Sequence, residues 1–244
     1  MRFALMAVTL LWPLASSAQE AAKPAITIDE LMEKSIKAAG GREAALKVTS
    51  LAASGSIEIV AMGASASTEM LAKAPNKRLT VTVVDGYGEI KEGFDGTAGW
   101  ATEPQNGLVD LTGDRLASAK REAVFNGDLN WKEIYPKSEV TGKEKVGERD
   151  CWVVKMRPAD GKPATRYYDA ETFLLVKAVI TADTPQGPAD VAVELSDYKD
   201  IGVGLKLPHT MKINMPGIGD LITRYKEYKV NPEIDDAKFA KPKG

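Results

Sequence analysis

The residue types best suited to acid, base or nucleophilic chemistry are scarce in this chain of 244 residues. It contains one cysteine, Cys151, and one histidine, His209. One residue of each type allows no disulfide within the chain and no Cys/His metal cluster, and it leaves little for general acid-base catalysis. The sequence therefore predicts a protein that is not an enzyme and that uses no metal or cofactor.

Two local patterns invite a catalytic interpretation. Asp169 and Glu171 form an acidic pair of the kind that glycoside hydrolysis requires, but their position between two predicted strands is typical of a turn. A hydrolase would need a nucleophile activated by His209, yet the chain has no Gly-x-Ser-x-Gly elbow. We therefore expect His209 to be structural, and we expect Cys151, on a predicted strand, to be a buried free thiol.

The N-terminus has the composition of an export signal. Met1 and Arg2 give a short basic start, Phe3 begins an apolar run that ends at Leu14, and small residues follow up to Ala18. We expect a signal peptide over residues 1–18, cleaved after Ala18, and a mature protein that is periplasmic or secreted. The apolar run is too short for a permanent membrane span and no later run approaches about twenty residues, so an integral membrane protein is not expected.

Charge and length restrict the function further. The net charge is -2, and basic residues alternate with acidic ones instead of clustering. We therefore expect no nucleic-acid partner and no strong attraction to anionic lipid. Residues 19–244 are long for an average domain but ordinary for one large β-sheet domain, and no linker divides them. The sequence predicts a single domain over residues 19–244.

The clearest helix covers Ile26–Ala39. Thr27 and Glu30 have the spacing of a capping box, apolar residues recur at the helical period, and the pair Gly40-Gly41 ends the segment. A shorter helix is predicted over Glu43–Val48. One face of the first helix is apolar, so it must pack against another element.

From residue 50 onward the pattern becomes that of strands. Short runs rich in Val, Ile, Thr and aromatic residues alternate with Gly, Pro, Asn and Asp, and they follow one another directly, which favours an antiparallel meander. Helices predicted at Asp114–Phe125 and Trp131–Tyr135 separate two groups of strands, and Pro208 and Pro216 mark interruptions or edges. The count is about eleven or twelve. The predicted strands are Gly55–Met62, Ser67–Lys73, Arg78–Asp85, Gly88–Phe94, Gly99–Thr102, Glu139–Val146, Asp150–Pro158, Thr165–Asp169, Leu174–Thr181, Ala189–Lys199, Lys206–Asn214 and Leu221–Val230.

Several strands are apolar on both alternating sets of residues. Trp152, Val154 and Met156 share one face of a strand whose other face carries Cys151 and Val153. Both faces of the sheet therefore need cover. A twisted sheet of this size tends to curl, and helices that fill its concave face incompletely would leave an apolar cavity for a hydrophobic ligand. The same pattern fits an interior that side chains and helices pack completely.

Five segments resemble the LolA/LolB-type outer-membrane lipoprotein carriers: Lys73–Leu79, Phe94–Trp100, Pro104–Leu116, Tyr168–Thr172 and Asp236–Phe239. Their order agrees with the family over nearly all of the mature chain. The resemblance implies a mainly β fold with helices (α+β), in which an unclosed antiparallel β-barrel of about eleven strands is covered by helices. It further implies that these helices act as a lid over an apolar cavity that takes acyl chains.

The chain departs from the family pattern in two places. The periplasmic carriers have an arginine just before the Pro-Asn turn, where it helps to hold the lid closed, whereas this chain has Ala74. Arg78 is near the turn but not at the matching position. The lipid-modified N-terminal cysteine of the receptor branch is also missing. These departures favour passive lipid binding over shuttling driven by an energy-dependent donor.

The candidate cavity-lining residues are large apolar side chains on predicted strands and helices, and plain core packing is the alternative for any one of them. Aromatic side chains would form a broad wall, and methionines an adaptable one. The predicted set is Leu79, Val81, Val83, Trp100, Trp131, Trp152, Met211 and Met215.

Three functions remain open from the sequence. The favoured one is an exported binding protein that holds a lipid, a lipoprotein acyl chain or a similar hydrophobic small molecule. The alternative is an envelope protein-protein interaction module that pairs through a free sheet edge and binds no ligand. The third and least favoured is a hydrolase that uses His209.

Overall fold

The computed structural model describes residues 25–184 and 187–243, so the predicted signal peptide lies outside the described residues. The described chain forms one antiparallel sheet of 13 strands, and four α-helices lie against one of its faces. Neighbouring strands in the sheet follow the order β6-β5-β4-β3-β2-β1-β13-β12-β11-β10-β9-β8-β7. Within the described ranges β6 and β7 have one partner strand each, so the sheet is unclosed, as predicted.

The helices lie before the sheet and between its two groups of strands, as the sequence predicts. In the described part of the chain, none is long and apolar enough to cross a membrane. The α-helices are α1 (Ile28–Ala38), α2 (Arg42–Leu46), α3 (Gly113–Ala123) and α4 (Trp131–Ile134), and short 3-10 turns cover Val60–Met62, Gly127–Asn130 and Asp236–Lys238.

Thirteen strands are present where eleven or twelve were predicted. The edge strand β6 has only 4 residues, which is too short for a distinct alternating pattern. Strands β4 and β7 have the predicted bounds, whereas β1 begins at Ser50 instead of Gly55. The prediction began too late because the residues before Gly55 are mostly small ones of low strand propensity. The strands are β1 (Ser50–Ile59), β2 (Ala64–Lys73), β3 (Lys77–Val84), β4 (Gly88–Phe94), β5 (Gly99–Glu103), β6 (Gly107–Asp110), β7 (Glu139–Val146), β8 (Arg149–Met156), β9 (Ala164–Asp169), β10 (Leu175–Thr184), β11 (Gly187–Asp200), β12 (Lys206–Met215) and β13 (Gly219–Val230).

Pro208 does not interrupt its strand. It pairs with Tyr198 of β11, while the ladder between β12 and β13 begins only at Thr210. In the gap before that ladder, the Tyr228 hydroxyl donates to the Pro208 carbonyl at 2.7 Å. The missing N–H of proline is therefore tolerated inside the sheet. Pro216 lies in the turn between β12 and β13.

The predicted capping box starts α1. The Glu30 N–H donates to the Thr27 hydroxyl at 3.2 Å, and the Thr27 N–H donates to the Glu30 carboxylate at 2.9 Å. The backbone and hydroxyl hydrogen bonds from Thr27 lower the pKa of Glu30.

At the C-terminal end of α1, the Lys206 N–H donates to the Ala39 carbonyl at 2.7 Å. This contact between the end of α1 and the start of β12 requires glycine at position 40, because a Cβ on Gly40 would lie 2.0 Å from the Gly204 carbonyl oxygen.

The sheet is strongly curled. Arg78 of β3 and Leu175 of β10 line the same cavity, although five strands separate β3 from β10 and six spacings of a flat sheet would extend about 29 Å. A β-bulge between Ser54 and Gly55 bends β1 against β13. A Cβ on Gly55 would lie 2.3 Å from the Arg224 carbonyl oxygen, so only glycine permits this approach. Further register shifts occur in β7 and β10.

Strand register divides the sheet into two faces. Ala72 of β2 pairs with Arg78 of β3, and both point toward the helices, on what we call the concave face. Leu79 points to the opposite, convex face. Two apolar clusters fill the ends of the concave face. One packs α1 and α4 on β7, β8 and β9, and the other packs α3 on β5 and β6.

The C-terminal segment covers part of the convex face. Phe239 is fully buried and packs with Ile234, Leu79 and Trp100. The Trp100 indole N–H donates to the Phe239 carbonyl at 2.9 Å. Beside this cluster, hydrogen bonds from two lysines, Lys73 and Lys77, lower the pKa of the Asp236 carboxyl to about 2.

We expect Phe239→Ala to lower the free energy of unfolding by about 3–5 kcal/mol, because it removes a fully buried ring from the convex-face cluster. Urea unfolding monitored by tryptophan fluorescence measures this change. The control is Lys243→Ala in the same segment, where the exposed side chain should contribute less than about 0.5 kcal/mol. Equal effects of the two substitutions would show that the segment does not stabilise the sheet.

Candidate functional site

A cavity of about 410 Å³ lies between the concave face and the helices, in the space that the two end clusters leave free. This volume falls within the range of about 300–1,000 Å³ that is usual for small-molecule sites. The sheet contributes its floor and one wall, and helices α1 and α2 with the segment after α3 form its cover. The lining residues are Ser35, Ile36, Ala39, Gly41, Ala45, Val48, Leu51, Met70, Ala72, Arg78, Glu122, Ala123, Val124, Phe125, Asn126, Gly127, Asp128, Leu129, Leu174, Leu175, Leu195, Tyr198, Leu205, Lys206, Leu207 and Pro208.

Most of this lining is aliphatic. Ile36 of α1 and Leu51 of β1 are buried, and Met70, Leu195 and Leu207 are half-buried side chains of three other strands. Apolar walls of this kind bind a ligand by removing hydrocarbon from water, at about 0.8 kcal/mol per methylene. The cavity is therefore suited to an acyl chain or a similar apolar group.

A six-residue cover segment, Val124–Leu129, closes the cavity between α3 and α4. The Phe125 N–H donates to the Pro75 carbonyl at 2.9 Å, within the turn that the family resemblance singles out. The Asn126 side-chain amide donates to the Ala45 carbonyl of α2, also at 2.9 Å. Two hydrogen bonds thus attach the segment to separate elements, one on the sheet side and one on the helix side.

An ion pair joins the sheet to helix α3 at the cavity wall. Nη1 of Arg78 donates to Oε2 of Glu122 at 2.6 Å. Arg78 follows the Pro-Asn turn, whereas the carriers have their arginine before it, at the position of Ala74. In this chain, therefore, an arginine from the other side of the turn contacts the covering helix.

A second ion pair anchors the cover segment to β9. Nη1 of Arg166 donates to Oδ1 of Asp128 at 3.1 Å and to the Tyr168 hydroxyl at 3.4 Å, and its guanidinium lies 5.1 Å from the Tyr135 ring centroid. Burial alone would lower the pKa of Arg166, but Tyr168, Asp128 and Tyr135 together raise it. The Arg166 side chain is only 18% exposed, so its charge depends on Asp128 for compensation.

Apolar side chains continue along the concave face beyond the cavity. Leu195 of the cavity wall pairs with Met211, which pairs with Thr223, which in turn pairs with Ile57. The side chains on this strip are half-buried, so the concave face offers further apolar surface next to the cavity. The large apolar residues of the strip are Ile57, Ile59, Val84, Val193, Met211, Ile213, Met215 and Leu221.

The predicted lining residues on β3 and β5 lie on the convex face, away from the cavity. Leu79 and Trp100 belong to the convex-face cluster, Val81 packs against it, and Val83 shares their side of β3 by alternation. The cavity side of β3 carries Arg78 instead. The alternating pattern could not distinguish these faces. The convex face of β3 packs against the C-terminal segment, so its residues are as apolar as those of a cavity wall.

The other four predicted residues are on the concave face but outside the cavity lining. Trp131 and Trp152 lie in the cluster beneath α1, where plain core packing accounts for them. Met211 and Met215 lie on the strip beside the cavity. The Val124–Leu129 segment was not predicted as part of the site, because the helix predicted over Asp114–Phe125 ends within it and its other residues were left unassigned. The apolar face of the predicted first helix does meet the cavity, where Ile36 lines it.

The residues considered for catalysis lie apart from the cavity lining. Nδ1 of His209 is 3.1 Å from the Leu207 carbonyl, its ring packs edge-on against Tyr228 at 5.0 Å, and no bond to a serine or a carboxylate occurs among the described residues. Asp169 accepts hydrogen bonds from the Glu171 and Thr172 N–H groups, as a turn former does. Burial, with the nearby Asp169 charge, raises the pKa of Cys151. Residues 25–184 and 187–243 contain no group of three or more His, Cys, Asp or Glu arranged to hold a metal ion.

Comparison with known proteins identifies the fold. No protein-family model matches the sequence, and no curated protein matches it. Among solved structures, a LolA superfamily protein from Nitrosomonas europaea has a TM-score of 0.58 at 14% identity, with 89% of this chain and 99% of that chain covered. An outer membrane lipoprotein-sorting protein domain from Vibrio parahaemolyticus gives 0.54 at 12% identity, with coverage of 85% and 97%.

A third structure supports the same fold. A DUF1329 family protein from Desulfovibrio piger has a TM-score of 0.56 at 12% identity, with 87% of this chain and 97% of that chain covered. The LolA-like fold predicted from the motifs is therefore confirmed, at a sequence identity of only 12–14%.

We expect Asp128→Ala to lower the free energy of unfolding by about 1–3 kcal/mol, because Arg166 would lose its charged hydrogen-bond partner while mostly buried. Urea unfolding measures the change. As a matched control, Glu43→Ala removes the exposed i,i+4 pair with Lys47 and should cost less than about 0.5 kcal/mol. A cost for Asp128→Ala no larger than that of the control would mean that Arg166 does not need this carboxylate.

Proposed function

We propose that this protein is an exported, periplasmic binding protein that holds a lipid, a lipoprotein acyl chain or a similar hydrophobic molecule in the cavity beneath Val124–Leu129. The observation that carries the proposal is an apolar cavity of about 410 Å³ that a curled sheet and helices bound. About ten buried methylenes would contribute about 8 kcal/mol before ordering costs, which is enough for useful affinity from the chain alone.

The placement of charge favours a ligand whose buried part is uncharged. Arg78 is engaged by Glu122 and Asp128 by Arg166, so the charged groups of these two ion pairs already have partners. The exposed Lys206 lies at the edge of the lining, where solvent can hydrate it. We therefore infer that the chain enters the cavity and that any polar head group stays outside.

The LolA-like fold supports the proposal by analogy, since a lipoprotein-sorting domain has the same architecture. The ion pair between Arg78 and Glu122 holds helix α3 on the sheet, and its arginine follows the Pro-Asn turn instead of preceding it as in the carrier pattern. We therefore propose passive binding and not shuttling driven by an energy-dependent donor.

Pairing of a partner strand with a sheet edge is disfavoured as the main function. Edge strand β6 has only 4 residues, and the other edge strand, β7, carries alternating Glu and Lys side chains. Short or charged edges are the usual means by which proteins prevent edge-to-edge pairing.

Ligand content provides the test. Protein purified without detergent should release a lipid or a long-chain acyl compound on solvent extraction, detected by mass spectrometry. Ala72→Phe should reduce this content at least about tenfold, because the ring would occupy cavity volume. Ser67→Phe is the matched control on the same strand, since Ser67 is exposed on the convex face. A cavity that stays empty after incubation with lipid vesicles, or equal loss in both variants, would contradict the proposal.

We further propose that binding is the protein's whole activity and that His209 plays no catalytic part. The wild-type protein and His209→Ala should hydrolyse a series of p-nitrophenyl acyl esters at the same background rate, because His209 has no nucleophile hydrogen-bonded to it among the described residues. A wild-type rate that the substitution abolishes would instead identify a hydrolase.

A further inference from the structure

A second, smaller cavity lies under helix α3. Its volume is about 210 Å³, and besides Arg78 and Glu122 it is lined by Thr80 of β3, by Glu92, Gly93 and Phe94 of β4, and by Ala119 of α3. Of the residues that the structure describes, only Arg78 and Glu122 line both this cavity and the larger one. The two spaces therefore meet at these two side chains.

The Arg78–Glu122 ion pair forms a bar between the cavities. Its Nη1 to Oε2 distance is 2.6 Å, so the side chains from β3 and α3 touch across the passage. The two side chains are 35% and 53% exposed, so an apolar chain that passed between them would have to break the pair and displace the water around both charged groups, which is unfavourable.

The rest of α3 is attached independently of this pair. Arg115, near the start of the helix, bonds Glu92 of β4 and Glu103 of β5, each at 3.0 Å. The second cavity lies between this attachment and the Arg78–Glu122 pair. Removal of the pair would therefore open the passage while Arg115 still holds the helix on the sheet.

We propose that the Arg78–Glu122 pair is the end wall of the ligand cavity and limits how far an acyl chain penetrates. This inference rests on the proposed function and assigns a specificity role within the same site. With the pair intact, the end of the chain stops in the larger cavity. Without it, the two cavities join and the chain reaches β4.

Photoaffinity labelling locates the end of the chain directly. The probe is a sixteen-carbon fatty acid with a diazirine at its terminal carbon, and labelled peptides are mapped by mass spectrometry. In the wild-type protein we expect labels on residues of the larger cavity such as Leu51 or Leu195. In Arg78→Ala/Glu122→Ala we expect at least about a fivefold rise in labelling of Gly88–Phe94 and of Ala119.

Two further variants complete the test. Glu122→Ala alone keeps a strong helix former in α3, so it reports on the passage even if the double variant does not fold. The exchange Arg78→Glu/Glu122→Arg rebuilds a bar from the same two groups and should restore the wild-type labelling pattern.

The outcomes separate this inference from the proposed function. Labelling of β4 in the wild-type protein, or an unchanged pattern in the alanine variants, would overturn the end wall while leaving the cavity as the binding site. Failure of the exchange variant to restore the wild-type pattern would also overturn it. If no residue of either cavity were labelled, the proposed function and this inference would both be overturned.

Discussion

The structure depends on one constraint. The curled sheet of 13 strands has apolar residues on both faces, so other parts of the chain must cover each face. The convex face uses the C-terminal segment, with Phe239 packed between Leu79 and Trp100. The concave face uses clusters at its two ends, one under α1 and α4 and one under α3. Among the described residues these end clusters do not extend into the middle, so the curvature that buries the ends also leaves the cavity between them.

Polar contacts hold the cover in place around an apolar interior. Phe125 is attached to the turn at Pro75, Asn126 to α2, and Asp128 to Arg166. Each bond satisfies a group at the boundary of the cavity. Hydrogen bonds have fixed directions and specify one closed geometry, whereas apolar walls accept many shapes. This division of roles is consistent with the proposed binding function.

Much of the fold follows from local sequence rules. The capping box at Thr27 and the strands β4 and β7 formed as predicted, because capping and alternation depend on neighbouring residues. The candidate site was predicted less well. Leu79 was assigned to a cavity, yet Arg78 occupies the cavity side of the same strand. A period of two distinguishes the faces of a strand but does not identify which of them meets the helices.

The sequence by itself therefore determined the element types, the antiparallel order and the scarcity of catalytic groups, all of which are properties of short segments or of composition. Tertiary structure alone decided which face is concave, where Val124–Leu129 lies, and that Arg78 meets Glu122 across 44 positions of the chain. These outcomes depend on how far the sheet curls and on what the C-terminal segment covers. Both arise from contacts between residues that are distant in sequence, and no local pattern encodes them.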